Sequence, residues 1–184
     1  MELKTLVFEK PGVANTDATL KIARERAEAL GIRQLVVASS HGYTAKRAKV
    51  IFDGLDMNII AVTICAGFAD KGWTMTPAER AETEALGITV LTSIHALGDD
   101  VSEVFTPNPA NKVVRETLYR FGQGMKVAVE VVLMAADADL LDLEQEAIAV
   151  AGTDEGADTA LVVQPACALQ FKRFRIREIL AKPR

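Results

Sequence analysis

The stretch Gln34-Leu35-Val36-Val37-Ala38-Ser39-Ser40-His41-Gly42-Tyr43-Thr44-Ala45 decides the fold. Gln34 to Ala38 reads as a continuous apolar strand, the pattern of a parallel strand covered on both faces rather than one with a wet side. Two serines, a histidine and a glycine then lead straight into a helix read from about Thr44 to Phe52. Upstream, Leu3 to Phe8 reads as a strand, Lys10-Pro11-Gly12 as a turn, and a helix opens near Asn15-Thr16-Asp17, with Leu20, Ala23, Ala27 and Leu30 at helical spacing. Gly31 stops that helix as a glycine just past its end. Downstream come the strand Asn58 to Ile64, a helix from Pro77 to Leu86 and the strand Ile88 to Thr92, and Thr76-Pro77-Ala78-Glu79 matches a capping box with proline in the first helical turn. The joint Glu28-Ala29-Leu30-Gly31-Ile32 recurs as Glu84-Ala85-Leu86-Gly87-Ile88. Strands and helices alternating with short joints predict a three-layer α/β sandwich with a mainly parallel sheet.

The second half is arranged differently. Ile94 to Asn111 is polar and broken by Gly98, Pro107 and Pro109, long enough to be read as a lid or a loose excursion. Two helices follow, Lys112 to Phe121 and Gly124 to about Ala138, split at Gly122. The strands Glu146–Ala151, Thr159–Val163 and Arg173–Leu180 then come close together, the first two joined by the turn Gly152-Thr153-Asp154-Glu155-Gly156, which predicts an antiparallel edge on the sheet. Residues 1–184 are read as a single α/β domain.

Composition narrows the function classes. With 21 basic against 25 acidic residues the net charge is −4 and the pI about 5.3, so nothing overall draws in nucleic acid or an acidic membrane surface. Cys65 and Cys167 have no CxxC spacing and only two histidines accompany them, so neither a metal nor a disulfide is expected. No apolar run is long enough to span a membrane, and the N-terminus lacks a signal peptide's apolar region, so the expected compartment is the cytoplasm. The apolar content favours some self-association, with no copy number implied.

In an open α/β sheet ligands bind beyond the carboxyl ends of the strands. After the second strand, Ser39, Ser40, His41, Gly42, Tyr43 and Thr44 supply hydroxyls and helix-start amides, a combination that cradles phosphate, with Lys46 and Arg47 one turn on. The same residues also suit a plain N-cap (Ser40 or Thr44) and a turn glycine. Thr63 and Gly67 follow the third strand, beside a Cys65 read as buried and inert. Trp73 either stacks on a planar ligand or packs over its own loop. On the nearly all-apolar helix after Gly122, Lys126, Glu130 and Asp137 form one stripe. That stripe faces either solvent or a cleft, where Glu130 would meet a ligand amide or hydroxyl with Lys126 as its charge partner. Gly122 and Gly124 would then let backbone approach the ligand. No GxSxG elbow and no Walker GxxxxGK[ST] is present, and Pro11-Gly12 stands where a GxGxxG would begin.

Lys10-Pro11-Gly12, Asn15-Thr16, Val37-Ala38-Ser39-Ser40, Phe121-Gly122-Gln123-Gly124-Met125-Lys126-Val127, Met134-Ala135-Ala136-Asp137 and Gly156-Ala157-Asp158-Thr159-Ala160 together resemble the C-terminal α/β domain of pyruvate kinase. The likeness is closer to small stand-alone relatives of that domain and runs over nearly the whole chain. The resemblance implies a phosphate site at Ser39–Ala45, where pyruvate kinases hold the phosphate of a sugar-phosphate effector. It does not imply kinase activity, since the catalytic residues of that enzyme lie in a barrel domain. It makes flavin mononucleotide (FMN) the expected cofactor of a phosphorylated-ligand site built from Asn15, Thr16, Ser39, Ser40, His41, Gly42, Tyr43, Thr44, Thr63, Gly67 and Glu130. Whether a reaction follows is left open between a binding protein, a flavin-dependent oxidoreductase using Glu130 or Asp137 for proton transfer, and a regulatory or assembly module.

Overall fold

A computed structural model describes residues 2–106 and 109–184. Among them, seven strands form one sheet in the order β1-β7-β6-β5-β2-β3-β4. These are β1 (Leu6–Phe8), β2 (Gln34–Ala38), β3 (Asn58–Thr63), β4 (Thr89–Thr92), β5 (Ala147–Ala151), β6 (Thr159–Gln164) and β7 (Arg175–Pro183). β5, β2, β3 and β4 pair in parallel. β6 runs antiparallel to both β5 and β7, and β1 lies parallel to β7. The mixed part therefore sits on the side built by the C-terminal strands, with the reversed strand enclosed by β5 and β7.

Alternation along the central strands supplies two cores. Leu35, Val37, Ile59, Ala61, Ile148 and Val150 face α1 (Thr16–Leu30) and α2 (Tyr43–Ile51), against Leu20, Ala23, Ala27, Ala45 and Ala48. Val36, Ile60, Val62, Ala147, Ala149 and Ala151 face the other way, onto α6 (Gln123–Asp137). The three alanines of β5 leave room for α6 to lie close to the sheet, which is why twelve of its residues are buried. The smaller helices are α3 (Pro77–Glu84), α4 (Val101–Phe105) and α5 (Ala110–Tyr119), the last packed on α6.

Several local expectations hold in atomic terms. Gly31 ends α1 in the left-handed region at φ 70°, and Thr76 and Glu79 close the capping box of α3. The segment from Ile94 onward is not a loose excursion where it is described. Asp100 caps α4, Glu103 pairs with Arg115 of α5 at 2.6 Å, and Leu97 is buried. Pro107 lies outside the described residues. Cys65 and Cys167 are free and half-buried, so Cys65 is less enclosed than its apolar neighbours suggest. Among the described residues, no helix is long and apolar enough to cross a membrane.

Candidate functional site

Because β2, β3, β4 and β5 run parallel, the residues just past their C-terminal ends converge on one edge of the sheet. There they enclose a cavity of about 410 Å³, roofed by α6. Ser39, Ser40, His41, Tyr43 and Thr44 follow β2, Thr63 and Ile64 lie at the end of β3, His95 follows β4, and Gly152 to Gly156 follow β5. Val127, Val131 and Met134 of α6, with Val62, make much of the wall apolar.

The turn into α2 is built tightly. Gly42 adopts φ 83°, and a Cβ there would sit 2.6 Å from Thr83 Oγ1 of α3, so no larger residue fits without displacing a neighbour. Ser39 N–H donates to Val62 O at 2.9 Å, and the Ser39 hydroxyl accepts from Ala45 N–H at 3.2 Å. Gly42 holds the N-cap position, and Ser39, four positions before Tyr43, supplies the capping acceptor for the first turn of α2. The amides of Tyr43 and Thr44 have no partner among the described residues, as expected of the first helical turn. Thr44 is only 3% exposed and lines the cavity, and its hydroxyl, which has no hydrogen-bond partner among the described residues, is open to that space.

Both alternatives left open for α6 are now resolved geometrically. Lys126 and Glu130 are 5% and 3% exposed, form an ion pair and line the cavity, while Asp137 is exposed and accepts from Ala168 N–H at 3.1 Å. The stripe therefore splits at Asp137, the terminal and exposed residue of α6, while the turn before it stays buried. Glu130 Oε1 also accepts from Leu97 N–H at 3.0 Å, which pins the segment carrying His95 to α6. His95 in turn has Nδ1 held by Asp99 Oδ2 at 2.6 Å and its ring stacked on Phe68.

Other expectations need correction. Asn15 and Thr16 stop short of the cavity: Asn15 Nδ2 donates to Lys10 O, and the Thr16 hydroxyl donates to Val13 O and accepts from Ala157 N–H. Their polar atoms organise the start of α1 instead. Gly42 and Gly67 do not line the cavity either, Gly42 because it is turned toward Thr83. Lys46 and Arg47 point away, paired with Glu82 at 2.7 Å and Asp17 at 2.6 Å. Gly124 accommodates protein rather than ligand, since a Cβ there would lie 2.2 Å from Thr159 Oγ1. Trp73 stacks on Phe68 in its own loop, with Lys71 over both rings.

The reading of the sequence overlooked His95, Asp154 and Glu155. The two acids sit exposed at the cavity rim, on a turn held by the buried carboxylate of Asp158, which accepts from Gly12 N–H and Thr153 N–H. The strand-end rule applied to β5 points to Asp154 and Glu155, a signal masked because the close spacing of the last three strands reads as antiparallel throughout. At the opposite rim His41 meets Glu79 at 3.2 Å. Hydrogen bonds from the Thr76 backbone N–H first, then from His41 and the Thr76 hydroxyl, hold the Glu79 carboxyl well below the usual range, at about 2.

A mixed, mainly parallel sheet with helices on both faces and a cavity at the C-terminal ends of its parallel strands defines the class as a three-layer α/β domain. The chain belongs to the pyruvate kinase alpha/beta domain family, whose model matches residues 17–163. The match takes in nearly all of α1, the turn into α2, the whole of α6 and the turn after β5, and it covers every residue that lines the cavity.

Proposed function

We propose that this protein binds a phosphorylated small molecule, FMN being the preferred ligand, with the phosphate at the turn from Ser39 to Ala45. The observation that carries this reading is Thr44. Its hydroxyl opens onto the cavity with no partner among the described residues and is free to donate to a phosphate oxygen. The unpaired amides of Tyr43 and Thr44 and the positive end of the α2 dipole favour an anion at the same place. The apolar wall of Val62, Val127, Val131 and Met134 suits a planar ring, and the carboxylates of Asp154 and Glu155 suit ligand hydroxyls as acceptors. FMN combines these three parts, and when bound it would supply redox chemistry. Pyruvate kinase activity is not part of the proposal.

The test is thermal unfolding with inorganic phosphate, a sugar phosphate, FMN and riboflavin. A ligand at a hundredfold excess over Kd adds about 2.7 kcal/mol, or roughly 5–11 °C for a chain of this length. Thr44→Val keeps the β-branched shape and removes only the hydroxyl. Its melting temperature without ligand should equal or exceed that of the parent, while its affinity for phosphate ligands falls roughly tenfold. If no phosphorylated compound raises the melting temperature, or if the valine variant binds like the parent, the reading is wrong.

One observation favours the oxidoreductase as a second reading. His95 lines the cavity with Nδ1 held by Asp99, which leaves its other ring nitrogen for proton transfer, whereas Asp137 lies outside the cavity and Glu130 is tied to Lys126 and Leu97. Reduction of bound flavin by a nicotinamide cofactor would support it, and flavin that stays oxidised would exclude it.

A further inference from the structure

We propose that Lys126 is a second anchor of the cavity, donating from its ammonium group to a carbonyl oxygen on the ligand's planar ring, and that Glu130 is the positioning residue that holds it there. The proposal rests on the binding reading above and reverses the roles suggested by the sequence, in which Glu130 met the ligand.

The donor count points to the lysine. An ammonium group carries three N–H donors. Among the described residues Lys126 Nζ has one acceptor, Glu130 Oε2, with the Tyr119 ring face 5.8 Å away. Glu130, by contrast, has each carboxylate oxygen occupied, one by Lys126 and one by Leu97 N–H. Each oxygen keeps a further lone pair, but both are tied to the protein, whereas two of the three N–H donors of Lys126 are uncommitted among the described residues. Lys126 is also the one permanent cation among the described lining residues. It lies enclosed, whereas the acids Asp154 and Glu155 stand at the exposed rim, where water screens them. A charged hydrogen bond at such a depth acts more strongly than one at the surface.

The surroundings define the ligand group. Val127, Val131 and Met134 are the neighbours of Lys126 and Glu130 on the same cavity wall. An ion pair set among them is a poor device for stability, because apolar replacement of buried pairs is often neutral or stabilising. An apolar wall with one fixed cation favours a flat ring bearing a carbonyl, a group that takes one strong hydrogen bond and otherwise wants no water.

The experiment titrates FMN, riboflavin and inorganic phosphate into the parent chain and into Lys126→Met/Glu130→Gln. The double variant is used because Lys126→Met alone strands a buried carboxylate, while glutamine still accepts from Leu97 N–H. The affinities for FMN and riboflavin should both fall about tenfold to a hundredfold, and that for inorganic phosphate should not change. A merely structural role for the pair would move all three ligands together or none. Unchanged flavin affinity in the double variant overturns the proposal, as does a parent chain that binds phosphate but no flavin. A parent that binds FMN and riboflavin equally and ignores phosphate overturns the phosphate reading, while loss of riboflavin binding in the double variant would still uphold Lys126. Absence of all binding to the parent overturns both.

Discussion

Replacing Gly42 by alanine tests the geometry of the turn on which the site depends. Two costs follow from the structure. At φ 83° a residue with a Cβ is strained by about 1–2 kcal/mol. The new methyl would also lie 2.6 Å from Thr83 Oγ1. Thr83 cannot swing away freely, since it is fully buried and its hydroxyl donates to Glu79 O at 2.7 Å. Overpacking of this kind costs about 1–3 kcal/mol. The remaining close neighbour, Lys46 Cε at 3.3 Å, is the end of a flexible chain and can give. Together the two costs come to about 2–5 kcal/mol, a fall in melting temperature of roughly 4–20 °C. Urea denaturation of the parent, Gly42→Ala, Thr83→Ala and the double variant separates them. Thr83→Ala removes the clashing oxygen but not the backbone strain, so the double variant should be less destabilised than the sum of the singles by about 1–2 kcal/mol. A Gly42→Ala protein as stable as its parent, or strict additivity in the cycle, would refute the packing of α2 against α3 described above.

Two further outcomes follow from the same corner of the molecule. Ser39→Ala removes the acceptor of Ala45 N–H and should lower stability by about 0.5–2 kcal/mol in chemical denaturation, without ligand present. No loss of stability would mean that Ser39 does not cap α2. Glu79 is held at about 2 against an ordinary 4.5, so its contribution to stability is complete above about pH 4.5 and is lost as the pH falls toward 2. Melting temperatures measured across that window should drop more steeply for the parent than for Glu79→Gln, and parallel curves would contradict the assignment.

Much of the fold was legible along the chain because the physics that forms it is local. Gln34–Ala38 was found to the residue, since an apolar run ended by Ser39 and preceded by Gly31 admits few alternatives. The capping box at Thr76 and Glu79 was equally plain, because it needs only four consecutive residues. The antiparallel side could be foreseen from short connections, but not the enclosure of β6 between β5 and β7, which depends on pairing between strands far apart in sequence.

The candidate site divides in the same way. Sequence by itself determined that the turn after β2 carries hydroxyls, a glycine and a helix start, since those properties belong to adjacent residues and to backbone geometry. It also determined that α6 would be buried on most faces, because its apolar residues leave no wet side. Only the tertiary structure decided that Lys126 and Glu130 turn inward while Asp137 stays in water, that Asn15 and Thr16 spend their polar atoms within the chain, and that His95, Asp154 and Glu155 reach the same cavity. The reason is physical: periodicity states that a helix has a polar stripe, but which surface that stripe meets is set by the elements packed around it, and four parallel strand ends meet at one edge only once the sheet has formed.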